Sequence, residues 1–329
     1  MIRVEHSLRP PGEWESLWES DPRATLFLHP RWMEALVRAY TRTRSIYLIA
    51  SDAGRVAGLI PVVKWSRLGL IQFLSLPFGT YGGPLLAPGA DLRVAAALAA
   101  AFRDLSRSPR CMRFEMCILE PSQELRDALA PELASTFQDF RTHVVDLTQG
   151  MAQLWRARYR STVRECVRAA QRARVTVAVE EGEAALAVLH ALHLSQGGLW
   201  KGFKPYSLHA LRAMTQVFSG NARIYIARRE GEPLAACLFL EHAGREIHPY
   251  VSGASLAARE HHAFHLLIHT ALGDACARGF RVWNFGASGG DRQIEYFKES
   301  FGAEPRPVLR CFHMAWWARR LRKRPAWDQ

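Results

Sequence analysis

Apolar residues fall in alternating or short continuous blocks at SIYLIA (45–50), VAGLIPVVKW (56–65), LIQFLSLP (70–77) and RCMRFEMCIL (110–119), the pattern of β-strands. PRWMEALVRAY (30–40) and the Ala/Leu-rich stretch from Asp91 to Leu105 instead repeat every three to four residues and predict helices, the second opened by an Asp cap. Asp52-Ala53-Gly54 supplies the turn between the first two strands, and the glycine-rich FGTYGGPLL (78–86) follows the third. A helix near Ser122–Ala130 and the strand THVVDL (142–147) close this half.

The second half opens on a helix from Trp155 to Arg174, with Tyr159, Val163, Cys166, Val167 and Ala170 on one apolar face. A strand at 175–180 and helices near 183–197 and 207–219 come next. Three successive strands then follow (222–229, 233–242 and 245–254), and after them a long helix from Arg259 to Arg278. A short strand (281–286), a helix from Asp291 to Ser300 and a strand at 307–314 end the pattern. The seam at Thr148-Gln149-Gly150 divides the chain into expected domains 1–150 and 151–315, with a tail at 316–329.

Composition adds little to this until charge is considered. The 329 residues, 49% hydrophobic and 22% charged, exclude a disordered chain, a collagen-like repeat and a disulfide scaffold. The six cysteines show no CxxC pairing and read as free thiols, and no signal peptide or membrane span is visible, so a cytoplasmic protein is expected. The net charge is +12, of which +10 lies in 156–174 and 316–329. Arg156, Arg160, Arg164, Arg168 and Arg172 recur every fourth residue with almost no acids to pair them. Such a stripe suits phosphate, whereas a solvated charged face is its plainer meaning. The Trp/Arg tail suits an anionic membrane surface.

Several motifs in order carry a resemblance: the basic helix YRSTVRECVRAAQRARVTV, YVSGAS (250–255) at a strand end, GFRVWNFGASGG (279–290) and IEYFKESFGAEP (294–305). The element order and these motifs resemble the FemAB-like (Fem/peptidyltransferase, BioF2-like acetyltransferase) branch of the GNAT superfamily. LPFGTYGGPL (76–85) resembles that family's amino-terminal domain. The implied fold is α/β, two tandem GNAT-like domains, each a mixed, mostly antiparallel sheet flanked by helices. The implied activity is transfer of an acyl or aminoacyl group from an activated donor to an amine.

The resemblance assigns roles residue by residue. Lys298, with Phe297 in the FK motif, stabilises charge at the transferred carbonyl or donor phosphate. Tyr250 lines the donor–acceptor channel. His248, two residues earlier on the same strand side, is a candidate general base because an unperturbed imidazole titrates near neutrality. Gly286, Ser288 and Gly289 form a turn whose amides suit a donor anion, although glycine clusters are also ordinary connectors. Arg160, Arg164 and Arg168 are donor contacts. Trp200, Lys201 and, from the first domain, Tyr81 are candidate acceptor contacts. For each, a packed or solvated structural role is the plainer alternative.

Two further readings come from the helix after YVSGAS. The R/Q-x-x-G-x-G/A turn of acetyl-CoA-dependent relatives is missing from GASLAAREHHAF (253–264), which weakens a CoA donor. His261, His265 and His269 share a helix face at i, i+4, but no HExxH pattern or cysteine at ligand spacing accompanies them, so no metal is expected. No obligatory cofactor is expected, and aminoacyl-tRNA or acyl-CoA enters as co-substrate. The first expectation is aminoacyl transfer from aminoacyl-tRNA, or another nucleotide-linked partner, to an amine of a peptide, cell-wall precursor or small molecule. The alternatives are an N-acyltransferase using acyl-CoA or an acyl-carrier thioester, and a non-catalytic module binding RNA or a membrane.

Overall fold

The apolar blocks of the first half become strands of one sheet in the computed structural model, which describes all residues except Gly79, Ala243 and residues 134–135, 197–204 and 321–329. These strands are β1 (Arg3–Ser7), β2 (Thr43–Asp52), β3 (Arg55–Arg67), β4 (Leu70–Ser75), β5 (Leu85–Leu86) and β6 (Cys111–Leu119). β7 (Thr136–Asp146) carries the chain onward to β8 (Thr176–Glu180), β9 (Ala222–Arg229), β10 (Glu232–His242), β11 (Glu246–Ala254), β12 (Val282–Ala287) and β13 (Glu304–Met314).

The chain divides into two units, one of Met1–Arg141 with Arg306–Gln329, the other of Thr142–Pro305. The expected boundary near 150 therefore moves to Thr142, and the final strand, expected in the second domain, belongs to the first unit. The first unit's strands run in the order β1-β2-β3-β4-β6-β13, antiparallel except for the β4/β6 pair. Helix Leu92–Leu105 lays Val94, Leu98 and Phe102 on Leu48, Ile60, Val62 and Phe114 to form its core. Asp91 starts that helix by accepting from the Arg93 amide at 2.8 Å, which satisfies one of the free N–H groups of the first turn.

The second unit repeats the plan as β8-β9-β10-β11-β12-β7, antiparallel except for β11/β12. Helices Ser161–Arg172 and Ala263–Ala277 bury Val163, Val167, Leu267 and Ala271 against Tyr225, Phe239 and Trp283. The last position of the first sheet is filled by β13, from beyond the second unit, and that of the second by the Thr142–Asp146 end of β7.

Two long helices of the sequence reading are broken. The stretch from Trp155 is a wide turn over Leu154–Arg158, then extended backbone at Tyr159 and Arg160, and a helix only from Ser161 to Arg172. Tertiary bonds override helix propensity there. The Arg160 amide donates to the Ser300 carbonyl at 2.9 Å, and the Tyr159 ring packs edge-on to Phe301 at 5.2 Å. The second break leaves one short turn, Ala257–Glu260, and restarts at Ala263 after His262 adopts a left-handed conformation (φ 50°). Among the described residues no helix is long and apolar enough to cross a membrane, and all six cysteines are free.

Candidate active site

Parallel pairing between β11 and β12 involves only Glu246–Val282 and Ile247–Trp283 among the described residues. Beyond these pairs the strands diverge in partner. β12 follows β7 through Asn284–Val144, slips its register, and meets Thr142 again at Ala287. β11 follows β10 but skips one residue, since Leu238 faces Val251 and Phe239 faces Pro249, leaving Tyr250 as the extra residue of a β-bulge. His248 and Tyr250 thus stand just past the last β11/β12 pair. Their rings lie 6.4 Å apart, even though the bulge interrupts the strict alternation that placed them on one side.

Lys298 closes this region from the helix Arg292–Ser300, which Asp291 caps by accepting from the Gln293 and Ile294 amides. Its side chain is buried, 6% exposed. The ammonium donates to the Gly286 carbonyl at 2.8 Å and the Ala287 carbonyl at 2.9 Å, both at the end of β12. Burial lowers its pKa to about 7, while Glu295 pulls the other way. A lysine so held exchanges its proton near neutrality.

Gly286 is fixed by its surroundings on every side. Its φ is +75°, and a Cβ there would lie 3.1 Å from His248 Cε1, so glycine answers both the conformation and the close approach. Its amide donates to Asn284 Oδ1 at 2.9 Å. Asn284 in turn donates to Glu246 at 3.1 Å and accepts from Thr142 at 3.0 Å, a buried polar chain that pins the turn. The Gly286 amide expected to hold a donor anion is therefore engaged within the fold.

Burial and then Lys298 lower His248 to about 3, so it is neutral at pH 7 and a weak base, contrary to the general-base reading. His143, buried on β7, has its pKa lowered by burial and by Lys298. It lies 3.3 Å from Ser288 Oγ through Nδ1 and 3.7 Å from Glu299 through Nε2. Tyr250 donates to the Tyr206 hydroxyl at 3.1 Å. The Tyr206 amide donates to His193 Nε2 at 3.2 Å, and His193 Nδ1 lies 2.8 Å from the Ser252 carbonyl. That pattern fits a neutral His193 protonated on Nδ1, in keeping with a pKa lowered chiefly by burial. The helix Gly182–Ser195 approaches β11 so closely that a Cβ on Gly253 would stand 2.3 Å from the His193 nitrogen.

The other candidates are placed as follows. Phe297 packs against the rings of Phe264, His265 and Phe301. Gly289 and Gly290 have positive φ and are exposed. The arginines do not form the unbroken free stripe expected of them. Arg160 pairs with Glu299 at 3.2 Å and covers the Tyr296 ring; Arg164 donates to the Trp155 and Tyr159 carbonyls left open by the wide turn; Arg168 lies over Trp155. Tyr81 is fully buried in the first unit against Phe27, and is not an exposed acceptor contact there. Trp200 and Lys201 lie outside the described residues, as does the tail from 321. The face His261–His265–His269 is not formed, because the break at His262 turns His261 toward Arg229 (2.7 Å) while His269 packs at a tilt against Trp155, 5.0 Å between ring centroids.

His143, His193 and Tyr206 were not marked by the sequence, since each reaches the site from a separate element with no motif of its own, and Asn284 lay within GFRVWNFGASGG with nothing in its spacing to single it out.

Residues 157–299 match the acetyltransferase (GNAT) domain family. The second unit has the GNAT fold. The fold of the chain agrees with the expected tandem GNAT-like plan. The crystal structure of FemX is 12% identical to this chain with a TM-score of 0.70, covering 93% of this chain and 96% of FemX. A tandem GNAT protein from the clavulanic acid biosynthesis pathway is 14% identical at TM-score 0.62, covering 95% of this chain and 98% of its own. L-PGS from Bacillus licheniformis is 16% identical at TM-score 0.55, covering 92% and 93%. No curated protein matches the sequence. Lys298, His248 and Tyr250 all fall within the matched GNAT domain.

Proposed function

We propose that the chain is an amide-forming acyltransferase that moves an aminoacyl group from aminoacyl-tRNA to an amine of a peptide, cell-wall precursor or small molecule. The observation that carries this reading is the buried Lys298 ammonium, held on two carbonyls beside the point where β11 and β12 part. The likeness in fold to FemX and L-PGS supports it.

In this reaction the acceptor nitrogen attacks the ester carbonyl, a C–N bond forms, and the carbonyl oxygen takes negative charge. Lys298 stabilises that oxyanion by redirecting an N–H toward it, at a buried position where such a bond is worth more than in water. Collapse of the intermediate breaks the C–O bond, and the ribose oxygen leaves with a proton. With its pKa near 7, Lys298 is suited to hand over that proton and to be recharged by the one the acceptor nitrogen sheds as the C–N bond forms. Tyr250 and Tyr206 supply hydroxyls along the same strand end.

A second reading, acyl transfer from acyl-CoA, is favoured by the match to an acetyltransferase family. The turn before helix Ala263–Ala277 weighs against it, because it holds His262 in place of a glycine-rich phosphate loop.

Purified protein offered radiolabelled aminoacyl-tRNAs and acyl-CoAs with candidate amines separates the two. Label transferred from tRNA supports the first reading. Turnover of a CoA thioester with no transfer from any tRNA overturns it.

A further inference from the structure

Cys166, His262 and His265 each offer one ligand atom, and these atoms all lie within 4.8 Å of one another. The fold brings Cys166, from the middle of helix Ser161–Arg172, against His262, the left-handed residue before helix Ala263–Ala277, and His265 in that helix's first turn. We propose that these three side chains form a zinc(II) site, with a thiolate, two imidazoles and an open fourth position.

The chemistry of the set suits this ion. One sulfur and two ring nitrogens are the ligands zinc prefers in tetrahedral geometry, at distances of about 2.0–2.3 Å. Such bonds leave ligand atoms roughly 3.5 Å apart, so a spread of up to 4.8 Å closes by at most about 1.3 Å through small rotamer changes. The left-handed His262 (φ 50°, ψ 30°) places its ring edge-on to His265 at 5.9 Å. His265 is fixed on its other side by the rings of Phe297 and Phe301, at 5.3 and 6.0 Å. Apolar neighbours of this kind exclude water and limit ring rotation. A neutral imidazole offers zinc an unprotonated ring nitrogen, and a cysteine binds as thiolate, so one proton leaves Cys166 as the sulfur–zinc bond forms.

The site staples the two helices together. Because His265 touches Phe297, the residue before Lys298, the ion also steadies the helix that carries the lysine.

Metal-free full-length protein titrated with cobalt(II) is the test. The expected result is one equivalent bound, a thiolate charge-transfer band in the near ultraviolet, tetrahedral bands in the visible, and displacement by zinc with release of one proton. Zinc also raises the melting temperature of the native chain. Cys166→Ala loses the thiolate band and weakens zinc binding by more than about tenfold, beyond the lower bound for outer-shell losses. His262→Gly weakens zinc binding to a similar extent while retaining its fold, since glycine accepts the left-handed backbone. His261→Ala binds as the native chain does. Substoichiometric cobalt, a spectrum without the thiolate band, or undiminished binding by Cys166→Ala or His262→Gly overturns the proposal.

Discussion

The two units build the same sheet, yet they treat its parallel strand pair differently. β4 and β6 stay paired from Ile71–Cys111 through Ser75–Met116, whereas β11 and β12 part after two residue pairs. Charge follows the same division. In the first unit Glu115 on β6 is ion-paired to Arg113 and, at 2.9 Å, to Arg310. Burial raises its pKa, but the two arginines outweigh that and hold it below the usual carboxylate value. In the second unit Lys298 has carbonyl partners and neutral imidazoles nearby, and no carboxylate within ion-pairing distance among the described residues. A closed pair with satisfied charges is a structural element. An opened pair beside a lysine whose proton is labile is a place for chemistry.

Substitutions at the two positions therefore have opposite signatures. Lys298→Met is expected to lower acyl transfer by roughly 10²–10³-fold, the effect of removing an oxyanion donor, without destabilising the protein. Transfer assays paired with thermal melts check both halves; full activity removes the lysine from the mechanism. Glu115→Ala is expected to cost about 3–5 kcal/mol, because two arginines lose their shared carboxylate, with unchanged activity per folded molecule. Denaturant titration and active-site counting decide it.

The pH dependence sharpens the contrast. Lys298 is lowered from about 10.5 to about 7, so between these values the unfolded chain binds the extra proton and the folded chain does not. Stability contributed at this residue therefore rises as pH climbs from about 7 toward about 10, and the burial penalty is complete below 7. Subtracting the Lys298→Met stability curve from that of the native chain isolates this rise, and a flat difference refutes it. Gly286→Ala is expected to cost about 1–2 kcal/mol from its left-handed φ, with a measurable fall in activity through displacement of His248. The smallest effect belongs to Asp291→Ala, about 1 kcal/mol for the lost cap, read by urea unfolding with activity largely kept.

The strands and most helices were legible because burial on a sheet imposes its own period, and Lys298 was legible because a strand, a glycine turn and a helix start converge on one motif. What escaped was set by tertiary contact. Helical spacing gave no warning that Ser300 would take the Arg160 amide, or that His262 would turn left-handed and separate His261 from His265. His143 lies on β7, far in sequence from Lys298 and Ser288. The boundary near 150 was misplaced for a similar reason: β7 runs through the true boundary, and the strand that completes the first sheet, β13, follows the whole second unit in sequence.

That last arrangement bears on how the protein is made. The second unit draws every strand from Thr142–Pro305 and can close as soon as that segment has left the ribosome. The first unit, begun earlier, must wait for β13, which at about 5–20 residues per second is made roughly 10–40 s after β6. Until then β6 presents an unpaired edge, so the unit synthesised first is the one that finishes folding last.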